Sequence, residues 1–180
     1  SLPIGSKFSY VNSDLSNIDI PDASVDYVFC RFVFEYLANA KDVFRELVRI
    51  LKPGGRITIG DLDYNCLSHF GLPQDVESNL FSAIRLLQEK GVFDPYMGRK
   101  LYSFYYDEDI QDIDVSIWAH HLFYGSIPEN DIINWQYKVD RLIELASLQE
   151  INLPFDAKEF AEKFMEFLKS ERRFTYTPMM

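Results

Sequence analysis

Three short stretches carry side chains able to do chemistry: Asn12-Ser13-Asp14-Leu15, Arg31-Phe32-Val33 and Asp61-Leu62-Asp63-Tyr64. Each follows a β-like run, and in an open parallel α/β sheet ligands bind beyond the carboxyl ends of strands. Asp14, Asp61 and Asp63 offer carboxylates that accept hydrogen bonds or protons, and Arg31 offers a fixed cation. Glu35, His69 and His120 are the remaining acid–base groups of interest. His120 and His121 are sequential, and alternation along a strand would turn them to opposite faces, so they are not expected to chelate one metal ion. No metal site is expected. The chain has no GxSxG elbow, no HExxH and no Walker phosphate loop. Gly54-Gly55 precedes a strand and reads as a turn.

The elements that must position these residues can be traced from periodicity. Phe8 to Val11 (FSYV) reads as a short strand. Val25 to Cys30 (VDYVFC) is nearly continuous apolar, as in a strand buried on both faces. Asn39 followed by Asp42 suits a helix start, and Val43, Phe44, Leu47, Val48 and Leu51 recur at helical spacing. Pro53 cannot continue that helix, Gly54 or Gly55 can take a left-handed cap, and Arg56 to Gly60 (RITIG) reads as a strand. The unit is therefore strand–helix–strand with parallel strands. Further helices are expected over Pro73–Lys90, over Asp131–Ser147 and from Asp156 onward, with a loop over "VFDPYMGRKLYSFYYDED". Alternation predicts a half-exposed strand over Ile113–Phe123, with Ile113, Val115, Ile117 and Ala119 inward. Phe174–Thr177 reads as a last strand.

The totals bound the function. The chain has 180 residues, enough for one domain with a sizeable core, and a formal net charge of −10. Acidic charge disfavours nucleic acid and anionic membranes as partners. No apolar run approaches the ~20 residues of a membrane helix. Cys30 and Cys66 form no CxxC, which fits a reducing, cytoplasmic setting and argues against a disulfide scaffold. The 15 Phe and 11 Tyr suit a deep core or an aromatic-lined pocket.

Taken in order, Asp14, Ile20-Pro21, Ser24-Val25-Asp26-Tyr27-Val28, Phe34-Glu35-Tyr36-Leu37 and the run from Glu46 through Lys52-Pro53-Gly54-Gly55 resemble the central part of class I S-adenosylmethionine-dependent methyltransferases. The resemblance covers about the first third of the chain. It implies an α/β fold: a Rossmann-like, mostly parallel sheet with flanking helices and an antiparallel C-terminal strand. It implies S-adenosyl-L-methionine as cofactor. Asp14 would accept from the adenine amino group, Leu15 would hold the ring, and Arg31 and Phe32 would lie near the methionine end. Tyr64, Tyr96 and Arg99 would shape the pocket of a small-molecule acceptor. Catalysis would be largely placement, with Asp61, Asp63, His69, His120 and Glu35 as candidates where a base is needed.

The chain departs from that family in carrying no glycine-rich loop; none of its eight glycines forms a GxG cluster. The resemblance begins just before the family's third strand, so the sequence reads as one partial domain over 1–180. Residues 1–64 would be cofactor-side and 65–180 substrate-side. Such a fragment is expected to be N-terminally incomplete, inactive alone and poor at cofactor binding. Its open sheet edge could pair with a second copy. A non-catalytic α/β association module acting through that edge is the alternative. A nicotinamide-dependent dehydrogenase is a weaker one, and the KPGG turn favours the methyltransferase.

Overall fold

The computed structural model describes residues 9–180, which form two compact units: residues up to 30 with 39–59, and 31–38 with 60–180.

The first unit is built on strand β1 (Val25–Arg31), helix α1 (Ala40–Ile50) and strand β2 (Leu51–Gly60), the last residue of each strand belonging to the second unit. α1 forms where the apolar spacing places it, burying Ala40, Val43, Phe44, Leu47 and Ile50. Asp42 lies in its first turn, where the helix dipole favours an acid, but Asn39 makes no side-chain cap. β1 and β2 are paired. Ser24 N–H donates to Ile50 O at one end and Phe32 N–H to Gly60 O at the other, so the register advances together and the strands are parallel. The helix closes on Leu51 in extended conformation, and Lys52-Pro53-Gly54-Gly55 belongs to β2 rather than to a helix cap. Gly54 does take positive φ, +77°. Gly55 lies so close to β1 that a Cβ there would come within 3.2 Å of Asp26 O.

Arg49, off the apolar stripe, ties the preceding loop to α1. Its guanidinium donates to Ile18 O (2.9 Å), Ile20 O (3.0 Å) and both oxygens of Glu46 (2.8 Å), and it also pairs with Asp22. Two further expectations change in this unit. Ser9–Val11 carry no strand, and Phe8 lies outside the described residues. β1 is not buried on both faces: Tyr27 and Phe29 are 53% and 63% exposed.

The second unit contains strands β3 (His69–Phe70), β4 (Trp118–Tyr124) and β5 (Phe174–Met179) and helices α2 (Gln74–Glu89), α3 (Met97–Asp107), α4 (Glu129–Ser147) and α5 (Ala157–Lys169). β5 lies between β3 and β4 and is antiparallel to both. The core gathers Val76 of α2, Trp135 and Val139 of α4, and Phe160, Phe164 and Leu168 of α5. α5 starts as the sequence predicts, with the Asp156 carboxylate accepting from Lys158 N–H and Glu159 N–H, both at 2.9 Å.

The long alternating strand is shorter than expected. Its ladder begins at Trp118, opposite Met179, and Val115 and Ile117 are exposed rather than inward. The expected loop over 92–109 contains α3, whose contact face is small: it buries only Met97, Gly98 and Leu101.

Candidate functional site

The side chains that could do chemistry in the second unit converge on the turn after β2. Asp61 is fully buried. Its Oδ2 accepts from Phe34 N–H (2.8 Å) and Glu35 N–H (3.3 Å), and its Oδ1 from Leu62 N–H (2.9 Å). Burial nonetheless raises its carboxyl above the usual range. Asp61 thus fixes the short 3₁₀ turn Phe34–Tyr36 and sends Glu35 inward, where 2% of it is exposed.

Glu35 Oε2 accepts from Asn65 Nδ2 at 2.8 Å, and the Tyr36 hydroxyl also bonds this carboxylate. Burial lifts the Glu35 carboxyl to about 7, with the nearby Asp61 charge adding to the effect. The backbone here is held in the left-handed region at Tyr64 (φ 54°) and Cys66 (φ 65°), flanking Asn65. Such residues cost of order 1 kcal/mol each and persist where surrounding contacts over-determine them. Phe32, at the end of β1, shares this conformation (φ 57°).

Tyr64, Tyr96 and Arg99 are brought together. Tyr64 and Tyr96 meet edge-on with centroids 5.7 Å apart, and the Arg99 guanidinium lies 4.9 Å from the Tyr96 ring. Arg99 is already engaged: its Nε and Nη2 fork onto both oxygens of Asp63 at 2.8 Å. α3 can come this close only because residue 98 is glycine, since a Cβ there would fall 2.8 Å from Asp63 Cβ.

Arg31 lies over Phe32, 4.3 Å from the ring centroid, and Phe32 meets His120 at 4.7 Å. The two sequential histidines do not diverge. A register irregularity between Ala119 and His121 leaves their ring centroids 4.2 Å apart, which corrects the expectation of opposite faces. No group of three or more His, Cys, Asp or Glu that could hold a metal occurs among the described residues.

Burial and the neighbouring Arg31 hold His120 below the ordinary histidine value, and burial pushes His121 down to about 4. His69 is occupied on both nitrogens, by Thr175 Oγ1 and Cys66 O at 3.0 Å each, and burial lowers it to about 4.

Beside this turn lies a cavity of about 400 Å³, at the lower end of the ~300–1,000 Å³ usual for small-molecule sites. Its walls are mainly apolar side chains of α2, α4 and α5, and Tyr36, Asn65, Cys66, Tyr137, Lys138 and Arg141 contribute the polar part. Asp61, His69 and His120 do not line it. Sequence reasoning missed Asn65 and Lys138, which stand alone in the pattern.

In the first unit, Asp14 is exposed and its Oδ1 accepts from Ser16 N–H (2.8 Å) and Ser16 Oγ–H (2.6 Å), which lowers its carboxyl. Leu15 beside it is 39% exposed.

Residues 2–59 match the family model described as a methyltransferase domain. The likeness to that family lies in the first third of the chain. Among curated relatives, a bifunctional biotin-biosynthesis protein of Cellvibrio japonicus is 38% identical over 53 residues, 29% of this chain and 11% of that protein. A sterol 24-C-methyltransferase of Eremothecium gossypii is 39% identical over 54 residues, 30% of this chain and 14% of that enzyme. The matched segment is thus a small part of either relative's length. A crystal structure from Bacillus halodurans C-125, described as that of a candidate methyltransferase, superposes with a TM-score of 0.53 at 14% identity. That comparison covers 94% of this chain and 74% of that one, and at this identity the likeness is one of fold. The methyltransferase α/β fold thus matches the expectation from sequence. No helix among the described residues is long and apolar enough to cross a membrane.

Proposed function

We propose that this chain serves S-adenosylmethionine-dependent methyl transfer to a small molecule. The observation that carries the reading is the methyltransferase-domain match over residues 2–59. The local chemistry fits the cofactor: Asp14 Oδ1 is taken by Ser16, while its Oδ2 keeps lone pairs for an adenine amino group, and exposed Leu15 offers an apolar surface to the ring. Arg31 and Phe32 would meet the methionine end. Bound there, S-adenosylmethionine supplies an electrophilic methyl group.

Tyr64, Tyr96 and Arg99 would border the acceptor. With Arg99 neutralised by Asp63, the trio presents mainly aromatic surface. Asp61 is committed to backbone N–H groups and His69 to two acceptor or donor partners, so neither is free to move a proton. The chain's part in catalysis is then to place the acceptor, which alone can supply several kcal/mol.

The test is titration of S-adenosylhomocysteine into isotope-labelled chain, up to millimolar, followed by amide NMR. Shifts at Asp14–Leu15 and Arg31–Phe32 are expected, and they should weaken at least tenfold in Asp14→Ala. A titration carried to millimolar ligand that moves neither pair would overturn the reading. One observation favours a second reading, association with another copy: Tyr27 and Phe29 are exposed on β1. Concentration-dependent dimerisation lost in Phe29→Lys would support it.

A further inference from the structure

We infer that the cavity walled by α2, α4 and α5 binds an apolar carboxylic acid, its carboxylate meeting Lys138. The wall is overwhelmingly hydrocarbon, with Leu80, Ala83, Leu142 and Phe164 among its side chains. An apolar body of moderate size suits it.

The polar groups on the wall specify the head. Lys138 is half-buried, with its Nζ 3.5 Å from Cys66 Sγ and 4.5 Å from the Trp135 ring centroid. Among the described residues it forms no ion pair; the cations that do are elsewhere. Cys66 cannot serve as its counter-ion, because burial raises the thiol and keeps its proton on. Glu35 is hydrogen-bonded to Asn65 and Tyr36 and feels the Lys138 charge only through space, with no ion pair between them.

A second observation is independent of the lysine. Trp135, 3% exposed and part of the same wall, has an indole N–H with no acceptor. A buried donor without an acceptor and a partly desolvated cation without an ion pair are both costly. One ligand carboxylate on this wall would relieve the cation directly and add acceptors where the protein supplies donors.

The exposed Tyr137 and Val92 border the same cavity, so it is reached from solvent. Arg141, also on its border, is paired with Glu144, whereas Lys138 is in no ion pair. The binding site stands on these contacts alone.

The experiment is calorimetric titration of decanoate, decanol and decylamine into the chain without cofactor, so that failure here is distinct from failure of S-adenosylhomocysteine to bind. Decanoate should bind at least tenfold more tightly than decanol, with decylamine weakest. Lys138→Met should abolish the preference for acid over alcohol while decanol affinity stays within about twofold, and Lys138→Arg should keep the preference. The inference is overturned if the wild-type chain binds none of the three, if it binds acid and alcohol equally, or if Lys138→Met retains the preference. Should Lys138→Met not fold, the wild-type ranking of the three ligands decides the matter.

Discussion

Glu35→Gln should change how the chain's stability depends on pH. The folded carboxyl holds its proton to about 7, against 4.5 for the ordinary group, chiefly because it is buried. Between those values the folded state binds more protons than the unfolded state, so stability falls as pH rises. Across the whole window the loss is ~3 kcal/mol. The contribution is fully present below pH 4.5 and is lost as pH passes the folded value.

His69 and His121 work in the opposite sense. Each is pushed down from 6.5 to about 4, so between those values the unfolded state binds the extra proton and stability rises with pH. The wild-type profile is therefore flattened on its acid side. Subtracting it from the Glu35→Gln profile removes both histidines, because the variant leaves them in place. Urea unfolding followed by tryptophan fluorescence suits the measurement, since Trp118 and Trp135 both lie in Glu35's unit. From about pH 5 to about pH 8 the variant should gain ~2–3 kcal/mol on the wild type. Parallel profiles would refute the reasoning and place the Glu35 carboxyl in water.

Two further substitutions test packing and capping. Gly98→Ala would drive a Cβ to 2.8 Å from Asp63 Cβ and 3.2 Å from Asp61 O. Its overpacking cost of ~2 kcal/mol exceeds the ~1 kcal/mol gained in helix propensity, so calorimetry should show a lower Tm. Asp156→Ala removes the acceptor for two N–H groups at the start of α5. It should cost ~1 kcal/mol in urea unfolding, and Asp156→Asn should restore most of it.

The sequence was most legible where one rule dominated. α1, α2, α4 and α5 have unbroken apolar stripes, and each formed within a few residues of its expected span. α3 escaped because "MGRKLYSFYYD" buries little and leaves Tyr102 and Tyr106 in water, so no stripe marks it. Ile113–Ile117 alternates like a strand, but a strand needs a partner, and the β5 ladder reaches only to Trp118. At the site, the strand-end acids were visible because topology puts chemistry there. The structure gave Asp61 a structural task, fixing the turn that buries Glu35. The cavity was not legible: Tyr36, Asn65 and Lys138 are far apart in sequence and meet only through tertiary packing.

The position of β5 bears on how this protein is made. β5 is the central strand of its sheet, yet it follows β3, β4 and every helix in chain order. A nascent chain leaving the ribosome exposes "WAHHLFY", an apolar ribbon with unfilled backbone hydrogen bonds, until α4 and α5 have both been synthesised. At ~5–20 residues per second that wait lasts a few seconds. In that interval the β4 edge can pair with any strand in reach, a neighbouring nascent chain on the same messenger included. Yield in the cell should therefore respond to translation speed and chaperone supply more than the stability of the finished fold would suggest.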